Sequence, residues 1–127
     1  MSQPMPAYRI DADPARGLLT IVMHGYWDQP TFDRFAAEYG RTLRQMHASG
    51  KLDHALVDGR AFAVQARSIS DQFRDLIARH SPWMARRTAT VVPAQLNKLQ
   101  AERTGEAIEA HYFTDKDAAR AWLFAAP

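Results

Sequence analysis

Two kinds of hydrophobic pattern alternate along this chain. Short runs rich in β-branched residues favour strands, and segments whose apolar side chains recur every three or four residues favour helices. The pattern predicts strands at 8–12, 18–23, 54–58, 88–92 and 110–113. The first predicted helix ends at Ser49 and Gly50 and carries one apolar face, formed by Phe32, Phe35, Ala36, Tyr39, Leu43 and Met46.

The order of these elements is ββαβαβαβα, which predicts an α/β fold. Strands that alternate with helices imply right-handed crossovers and a parallel sheet. The link between the first two strands is short and contains Pro14 and Gly17, so it predicts an antiparallel hairpin. We therefore expect one domain over residues 1–127, with a mixed, mostly parallel five-stranded sheet flanked by helices and a flexible segment at about 1–6.

The sequence also predicts one loop and the ends or faces of three further helices. The segment 59–67 is predicted to be a loop, and Ser68 or Ser70 is predicted to cap the helix that follows it. A helix over 94–103 is predicted to face inward through Leu96 and Leu99. The last helix is predicted to be capped by Thr114 with Asp117, and its packing face is Ala118, Trp122 and Leu123.

Composition narrows the classes of site that the chain can carry. It has 127 residues, no cysteine and a net charge of +2, so disulfides, thiolate metal sites and cysteine nucleophiles are excluded. Its first residues lack the basic and apolar regions of a secretory signal, and no apolar run has the length of a membrane helix. We expect a soluble cytoplasmic protein without a transmembrane segment, and so small a charge does not predict a nucleic-acid partner.

Three stretches carry a resemblance to a known family. They are the hairpin over 8–23, the strand, loop and helix over 55–77, and the aromatic strand end with its Ala-rich helix over 112–123. With these segments the chain resembles the SpoIIAA-like family of the STAS superfamily, which includes anti-sigma-factor antagonists and the cytoplasmic domains of sulfate transporters. The resemblance implies a mixed α/β fold and a regulatory role through protein contact.

The resemblance also implies candidate sites. Phosphorylated members of the superfamily carry an Asp-Ser pair at the start of the helix after the central strand. Here Arg67 and Ser68 stand at that place, so Arg replaces the Asp, and Ser68 and Ser70 are the candidate phosphoacceptors. The family is similar in fold to small lipid-carrying domains, which favours an apolar pocket.

Ligands of open α/β sheets bind where the carboxyl ends of the parallel strands meet. Helix N-termini converge at the same edge and favour an anionic ligand. The alternative is that Asp28 and Asp115 cap helices and that Trp27 packs in the core. The side chains that the predicted strands and loops bring to this edge are His24, Tyr26, Trp27, Asp28, Asp58, Arg60, Gln95 and Asp115.

A second group of candidates is apolar. Phe62, Val64, Phe73, Trp83 and Met84 form either ordinary core, a pocket under the helix 69–77, or a dimer surface. Neighbouring basic residues, which suit an acidic partner or an anionic lipid head group, are Arg79, His80, Arg86 and Arg87. The predicted ligand-binding residues taken together are Trp27, Asp28, Asp58, Arg60, Phe62, Phe73, Ile77 and Trp83.

Three functional hypotheses remain open. The leading one is a non-enzymatic regulatory or protein-binding module, which uses the helix after Ser68 and its neighbouring loops. The alternative is a carrier or sensor of a small hydrophobic or lipid-like ligand in a pocket under the helix 69–77. The third is an enzyme that uses His24, Asp28 or Asp58, although no nucleophile accompanies them. The histidine spacing matches no metal site, and we predict neither a cofactor nor a catalytic residue.

Overall fold

The computed structural model describes residues 7–93 and 111–125. Within these ranges it contains five strands, three α-helices and a short 3₁₀-helix, Ser81–Trp83. The strands are β1 (Tyr8–Asp13), β2 (Leu18–Gly25), β3 (His54–Phe62), β4 (Arg87–Val91) and β5 (His111–Phe113). The α-helices are α1 (Gln29–Ala48), α2 (Arg67–His80) and α3 (Lys116–Leu123).

The five strands form one sheet in the order β1-β2-β3-β4-β5. β1 pairs antiparallel with β2, and every later pair is parallel, which confirms the predicted α/β class. Each parallel strand starts at the same edge of the sheet, so β2 to β5 end together at the opposite edge, called here the carboxyl edge. The helices α1 and α2 begin at the carboxyl edge and run back along the sheet.

Side-chain alternation divides the core between the two faces of the sheet. Leu19 and Ala55 point to the face that α1 and α2 cover, and their neighbours Leu18 and Leu56 point to the face that α3 covers. The first face carries the aromatic residues of both helices, whereas the buried side chains of the second are small or aliphatic, with Phe113 and Trp122 half-buried beside them. The buried members of the second cluster are Leu18, Leu56, Ala89, Val91, Ala119 and Leu123.

The hairpin between β1 and β2 depends on Gly17. Its φ is +62°, a left-handed conformation that glycine adopts without strain. A Cβ at this position would lie 2.7 Å from an Asp53 carboxylate oxygen. The Gly17 carbonyl accepts hydrogen bonds from the backbone N–H groups of Asp53 and His54, both at 2.9 Å. The turn therefore also fixes where β3 starts beside β2.

The prediction that 59–67 is a loop is wrong in its first half, because β3 continues to Phe62. Val22 pairs with Asp58, but His24 pairs with Ala61, so β3 contains an extra residue at this point. Such a bulge changes which face the following side chains point to. Phe62 consequently packs on the α1 and α2 face, as Val57 does before the bulge.

The predicted serine cap of α2 is also wrong. The helix begins at Arg67 with Ala66 at the N-cap position, where no side chain provides a hydrogen bond. Ser68 and Ser70 lie inside the first turn, and the Ser70 N–H donates to the Ala66 carbonyl at 2.9 Å. β3 ends at Phe62 and α2 begins at Arg67, so both serines lie within the helix rather than before it.

The start of the last helix differs from its prediction by one residue. Asp115, rather than Thr114 with Asp117, caps α3 by accepting a hydrogen bond from the Asp117 N–H at 3.1 Å. Ala119 is accordingly buried with Leu123 one turn later, whereas the predicted Ala118 is exposed. Trp122 is half-buried at the edge of this cluster.

Helix α1 confirms its predicted inner face and its end. Its buried residues include five of the six predicted, and Ala36 is half-buried. Ser49 forms the C-cap, and Gly50 follows with a φ of +70°.

The predicted helix over 94–103, with Leu96, Leu99 and the candidate Gln95, lies outside the described residues, as do 1–6 and Ala110. In the described ranges, none of the helices is both long and apolar enough to cross a bilayer.

Candidate functional site

Five aromatic rings fill the space beneath α2. Trp27 is 2% exposed, and its ring centroid lies 5.4 Å from that of Phe73 and 5.0 Å from that of Phe62. The Phe73 ring also lies 5.0 Å from Phe32 and 5.7 Å from Phe35. We call these five residues the aromatic cluster. Three predicted ligand-binding residues therefore meet here, but their rings pack against one another.

A buried glutamine connects the two loops at the carboxyl edge. The Gln65 side-chain carbonyl accepts a hydrogen bond from the Trp27 N–H at 2.8 Å. Its amide group donates to the carbonyl oxygens of Gly25 at 2.9 Å and Ala63 at 2.7 Å. The Ala63 N–H also donates to the Gly25 carbonyl, at 3.1 Å. Gln65 thus holds the loop after β2 against the loop after β3.

Sequence reasoning missed Gln65. A single glutamine between Val64 and Ala66 matches no motif, and two of its partners, Gly25 and Trp27, lie about 40 positions earlier in the chain. Its burial to 8% exposure is the feature that distinguishes it from the other side chains of its own loop. No local pattern could have shown it.

Two large apolar side chains project from these connected loops. Tyr26 is 65% exposed and Val64 is 50% exposed, and each lies next to a residue that Gln65 binds. Ala63 and the first two residues of α2, Arg67 and Ser68, are exposed beside them. We call these five residues the loop patch. Arg67 makes no ion pair within 7–93 and 111–125, so its charge faces solvent.

Asp28 lies next to the loop patch and caps α1. Its carboxylate accepts a hydrogen bond from the Thr31 N–H at 3.0 Å. Hydrogen bonds from the side chain and amide of Thr31 lower the pKa of Asp28. Nearby, the exposed amides of Gln29 and Gln72 exchange hydrogen bonds of 2.7 and 2.9 Å, which join the first turn of α1 to the second turn of α2.

Asp58 and Arg60 form a separate pair on the α3 side of the sheet. The Asp58 carboxylate accepts hydrogen bonds from the Arg60 side chain at 2.9 and 2.8 Å, and from the Arg60 backbone N–H at 3.2 Å. The hydrogen bond from the Arg60 side chain is the main cause that lowers the pKa of Asp58. Because Asp58 binds both the backbone and the side chain of Arg60, which lies within the β3 bulge, the pair stabilises the bulge.

Trp83 lies far from the carboxyl edge. Helix α2 has 14 residues and starts at the carboxyl edge, so its end is about 20 Å away at 1.5 Å per residue. Trp83 follows this end, is half-buried and packs against His80 with ring centroids 5.9 Å apart. Ile77 is one helical turn after Phe73 of the aromatic cluster. The eight predicted ligand-binding residues therefore do not form one site.

No protein-family model and no curated protein matches the sequence. An uncharacterised protein of the DUF3478 family with a SpoIIAA-like fold, from Shewanella loihica PV-4, matches with a TM-score of 0.70. It is 18% identical, and the match covers 97% of this chain and 98% of that one. This chain has the SpoIIAA-like fold.

Two further solved structures share the SpoIIAA-like fold. The anti-sigma factor antagonist SpoIIAA in its unphosphorylated form matches with a TM-score of 0.58 and 12% identity, over 88% of this chain and 92% of that one. An anti-sigma factor antagonist from Mycobacterium paratuberculosis matches with a TM-score of 0.58 and 12% identity, over 98% of this chain and 100% of that one. The resemblance that the sequence showed is thus confirmed for the fold.

Within the SpoIIAA-like fold of this chain, the two candidate phosphoacceptors differ in exposure. Ser68 is exposed at the second position of α2, and Ser70 is half-buried.

His24, considered with Asp28 as a catalytic pair, is half-buried near the end of β2, and its carbonyl accepts a 2.8 Å hydrogen bond from the Trp27 indole. Within 7–93 and 111–125, no three His, Asp or Glu side chains are grouped as metal ligands.

Proposed function

We propose that this chain is a cytoplasmic, non-enzymatic regulatory module that binds a protein partner through the loop patch. The observation that carries this proposal is the exposure of Tyr26 and Val64 on neighbouring loops that Gln65 connects. Of the large apolar side chains in 7–93 and 111–125, only these two and Phe124 are exposed to this degree. Phe124 lies on the other face, at the end of α3.

The hydrogen bonds of the loops support a role in recognition. Loops that are ordered before binding lose less conformational entropy when a partner docks, so more of the contact energy appears as affinity. Tyrosine is also enriched in the centres of protein interfaces, where its ring is buried and its hydroxyl finds a partner. Tyr26 is such a residue, and its loop is already ordered because Gly25 and Trp27 on either side of it are hydrogen bonded to Gln65.

The comparisons support a regulatory role for such a surface. Two of the matched proteins are anti-sigma factor antagonists, and Ser68 lies within the loop patch of this chain. Phosphorylation of Ser68 would add up to two negative charges at the N-terminus of α2, where the helix dipole tolerates them. Beside Arg67, the phosphate would change the charge that the patch presents to a partner.

The alternative role as a carrier has less support from the geometry. A ligand beneath α2 would have to separate the rings of Trp27, Phe62 and Phe73, whose centroids lie 5.0 to 5.7 Å apart. Such contacts are typical of a packed core. The two acids considered for catalysis are also already hydrogen bonded, Asp28 to Thr31 and Asp58 to Arg60.

Affinity capture with matched variants tests the proposal. The immobilised full-length chain is compared with a Tyr26→Ser, Val64→Ser variant and with a Phe124→Ser variant, each incubated with lysate of the source cells. We expect mass spectrometry to find a protein that the wild type and Phe124→Ser retain and the double variant loses. That protein, once purified, should bind the wild type directly with the same dependence.

The proposal is wrong if no protein is captured by the wild type, or if the captured proteins are the same for all three chains. Recovery of a small apolar molecule from the purified chain, with no protein bound, would favour the carrier role instead. If a second copy of this chain is captured, and Tyr26→Ser, Val64→Ser abolishes that contact, the patch is a homodimer surface rather than a regulatory one.

A further inference from the structure

Helix α1 extends past the end of α2 at the amino-terminal edge of the sheet. A Cβ added to Gly40 would lie 2.6 Å from the Nε2 atom of His80, so glycine allows the two helices to approach closely. The hydroxyl of Tyr39 donates a 3.1 Å hydrogen bond to the sulfur of Met84. These contacts place the middle of α1 against the end of α2 and the 3₁₀-helix that follows it.

Three exposed arginines lie next to these contacts. Arg44 is one helical turn after Gly40 and therefore continues the stripe that faces α2. Arg79 precedes His80 in the last turn of α2, and Arg86 follows the 3₁₀-helix. We call these three residues the basic cluster.

The arginines of the basic cluster have no ionic partners in the part of the chain that the structure describes. Four other arginines do pair with aspartates there, and they are Arg9, Arg16, Arg60 and Arg74. Grouped unpaired charges of one sign repel each other and attract a ligand of opposite sign. The basic cluster is also one α2 length, about 20 Å, from the loop patch.

We propose that the basic cluster binds an acidic segment of a protein partner. Guanidinium groups bind carboxylates through two parallel hydrogen bonds, which gives such contacts geometric specificity. This surface is distinct from the loop patch, so the proposal does not depend on the function proposed above.

The surrounding charges favour an acidic peptide over a continuous polyanion. Asp75 precedes Arg79 by four residues and is exposed, so this arginine has a carboxylate one turn away on its own helix. The Asp75 carboxylate repels the unbroken negative charge of nucleic acid or of an anionic bilayer. A peptide with a few spaced carboxylates can avoid it and pair with the arginines.

The residues around the basic cluster also argue against a membrane. Binding at a bilayer surface needs apolar side chains that enter the acyl region as well as basic residues. Trp83 and Met84 are half-buried here rather than exposed. The strongly exposed large apolar side chains of the described ranges, Tyr26, Val64 and Phe124, lie elsewhere.

Fluorescence anisotropy with a labelled glutamate-only peptide tests this inference, with a glutamine-only peptide as the neutral control. The full chain is compared with two double variants that each remove two positive charges: Arg44→Gln with Arg79→Gln, and Arg9→Gln with Arg16→Gln. We expect the first to lower the affinity about tenfold and the second to lower it less than about twofold. Thermal melts establish whether each variant folds.

Amide chemical shifts of the wild-type chain provide an independent readout that needs no variant. On addition of the glutamate peptide, the shifts should change at 41–47 and 79–86 and stay constant at the loop patch. The inference is overturned if both double variants lose affinity equally, if the shift changes are spread over the whole surface, or if no binding occurs at low salt. Tighter binding to single-stranded DNA of equal charge, or to phosphatidylglycerol vesicles, would also overturn it.

Discussion

Trp27 and Tyr26 are adjacent in the sequence, yet their side chains have opposite environments. Trp27 is 2% exposed in the aromatic cluster, whereas Tyr26 is 65% exposed in the loop patch. Both follow β2 in the same loop, so the difference arises from the hydrogen bonds of that loop. Gln65 binds the Trp27 N–H and the Gly25 carbonyl, and this geometry turns one ring inward and the other outward.

The two residues differ in what their side chains contribute, since Trp27 stabilises the fold and Tyr26 is available for recognition. Burying a large apolar side chain contributes about 1.5 to 3 kcal/mol, which Trp27 gains and Tyr26 mostly forgoes. Apolar residues of the aromatic cluster are therefore explained by folding alone. Folding does not explain an exposed apolar pair on hydrogen-bonded loops, and we therefore assign the contact surface to Tyr26 and Val64.

The largest expected effect is at Phe73, whose ring contacts four other rings. Phe73→Ala should lower the free energy of unfolding by about 3 to 5 kcal/mol, since it removes buried surface and leaves a cavity. Urea denaturation measures this value. A loss below about 1 kcal/mol would show loose packing under α2 and would revive the carrier hypothesis.

Gln65→Ala should have the next largest effect, about 1 to 3 kcal/mol, because it leaves the buried Trp27 N–H without its acceptor. Hydrogen exchange at the Trp27 amide should accelerate in parallel. The matched control is Gln72→Ala, which removes an exposed amide pair with Gln29 and should change stability little. Equal losses for the two variants would show that Gln65 does not hold the loops together.

Asp58→Asn should lower the free energy of unfolding by about 1 to 2 kcal/mol at neutral pH, since Arg60 is half exposed and solvent screens the pair. The pKa of Asp58 is lowered in the folded state, mainly by its hydrogen bond from Arg60. The carboxylate therefore stabilises the fold above its unfolded pKa of about 3.9, and this contribution is lost as the pH falls through the folded pKa.

The stability difference between wild type and Asp58→Asn should therefore be constant near neutral pH and shrink below about pH 4. Chemical denaturation at several pH values measures it. The matched control is Asp11→Asn, which removes an exposed pair with Arg9 and should show a small difference at every pH. A difference for Asp58→Asn that does not change with pH would show that the charge of Asp58 contributes nothing.

Much of the fold could be predicted because its determinants are local. The apolar stripe of α1 and the order of strands and helices follow from periodicity, which each segment expresses on its own. The extension of β3 to Phe62 could not, because it depends on pairing with β2 across a bulge. The predicted serine cap was wrong because α2 begins at Arg67, before either serine.

The candidate site was less predictable than the fold. Asp58 and Phe62 are four residues apart in the sequence, but they lie on opposite faces of the sheet. Trp83 was grouped with Phe62 as an apolar residue beside the same predicted helix, although the length of α2 separates it from the carboxyl edge. Residue spacing describes one element at a time, whereas a site requires side chains from several elements to meet.

The smallest expected effect is at the loop patch itself. Tyr26→Ser and Val64→Ser should each change the free energy of unfolding by less than about 0.5 kcal/mol, because both side chains are already largely in water. Hydrogen exchange at the Trp27 amide should stay slow in the double variant. The side chain of Gln65 binds backbone groups of Gly25, Trp27 and Ala63, and the side chains of Tyr26 and Val64 take no part in these hydrogen bonds. A destabilisation comparable to that of Phe73→Ala would place the patch within the core. If stability is unchanged and partner capture is lost, the exposed pair acts in recognition alone.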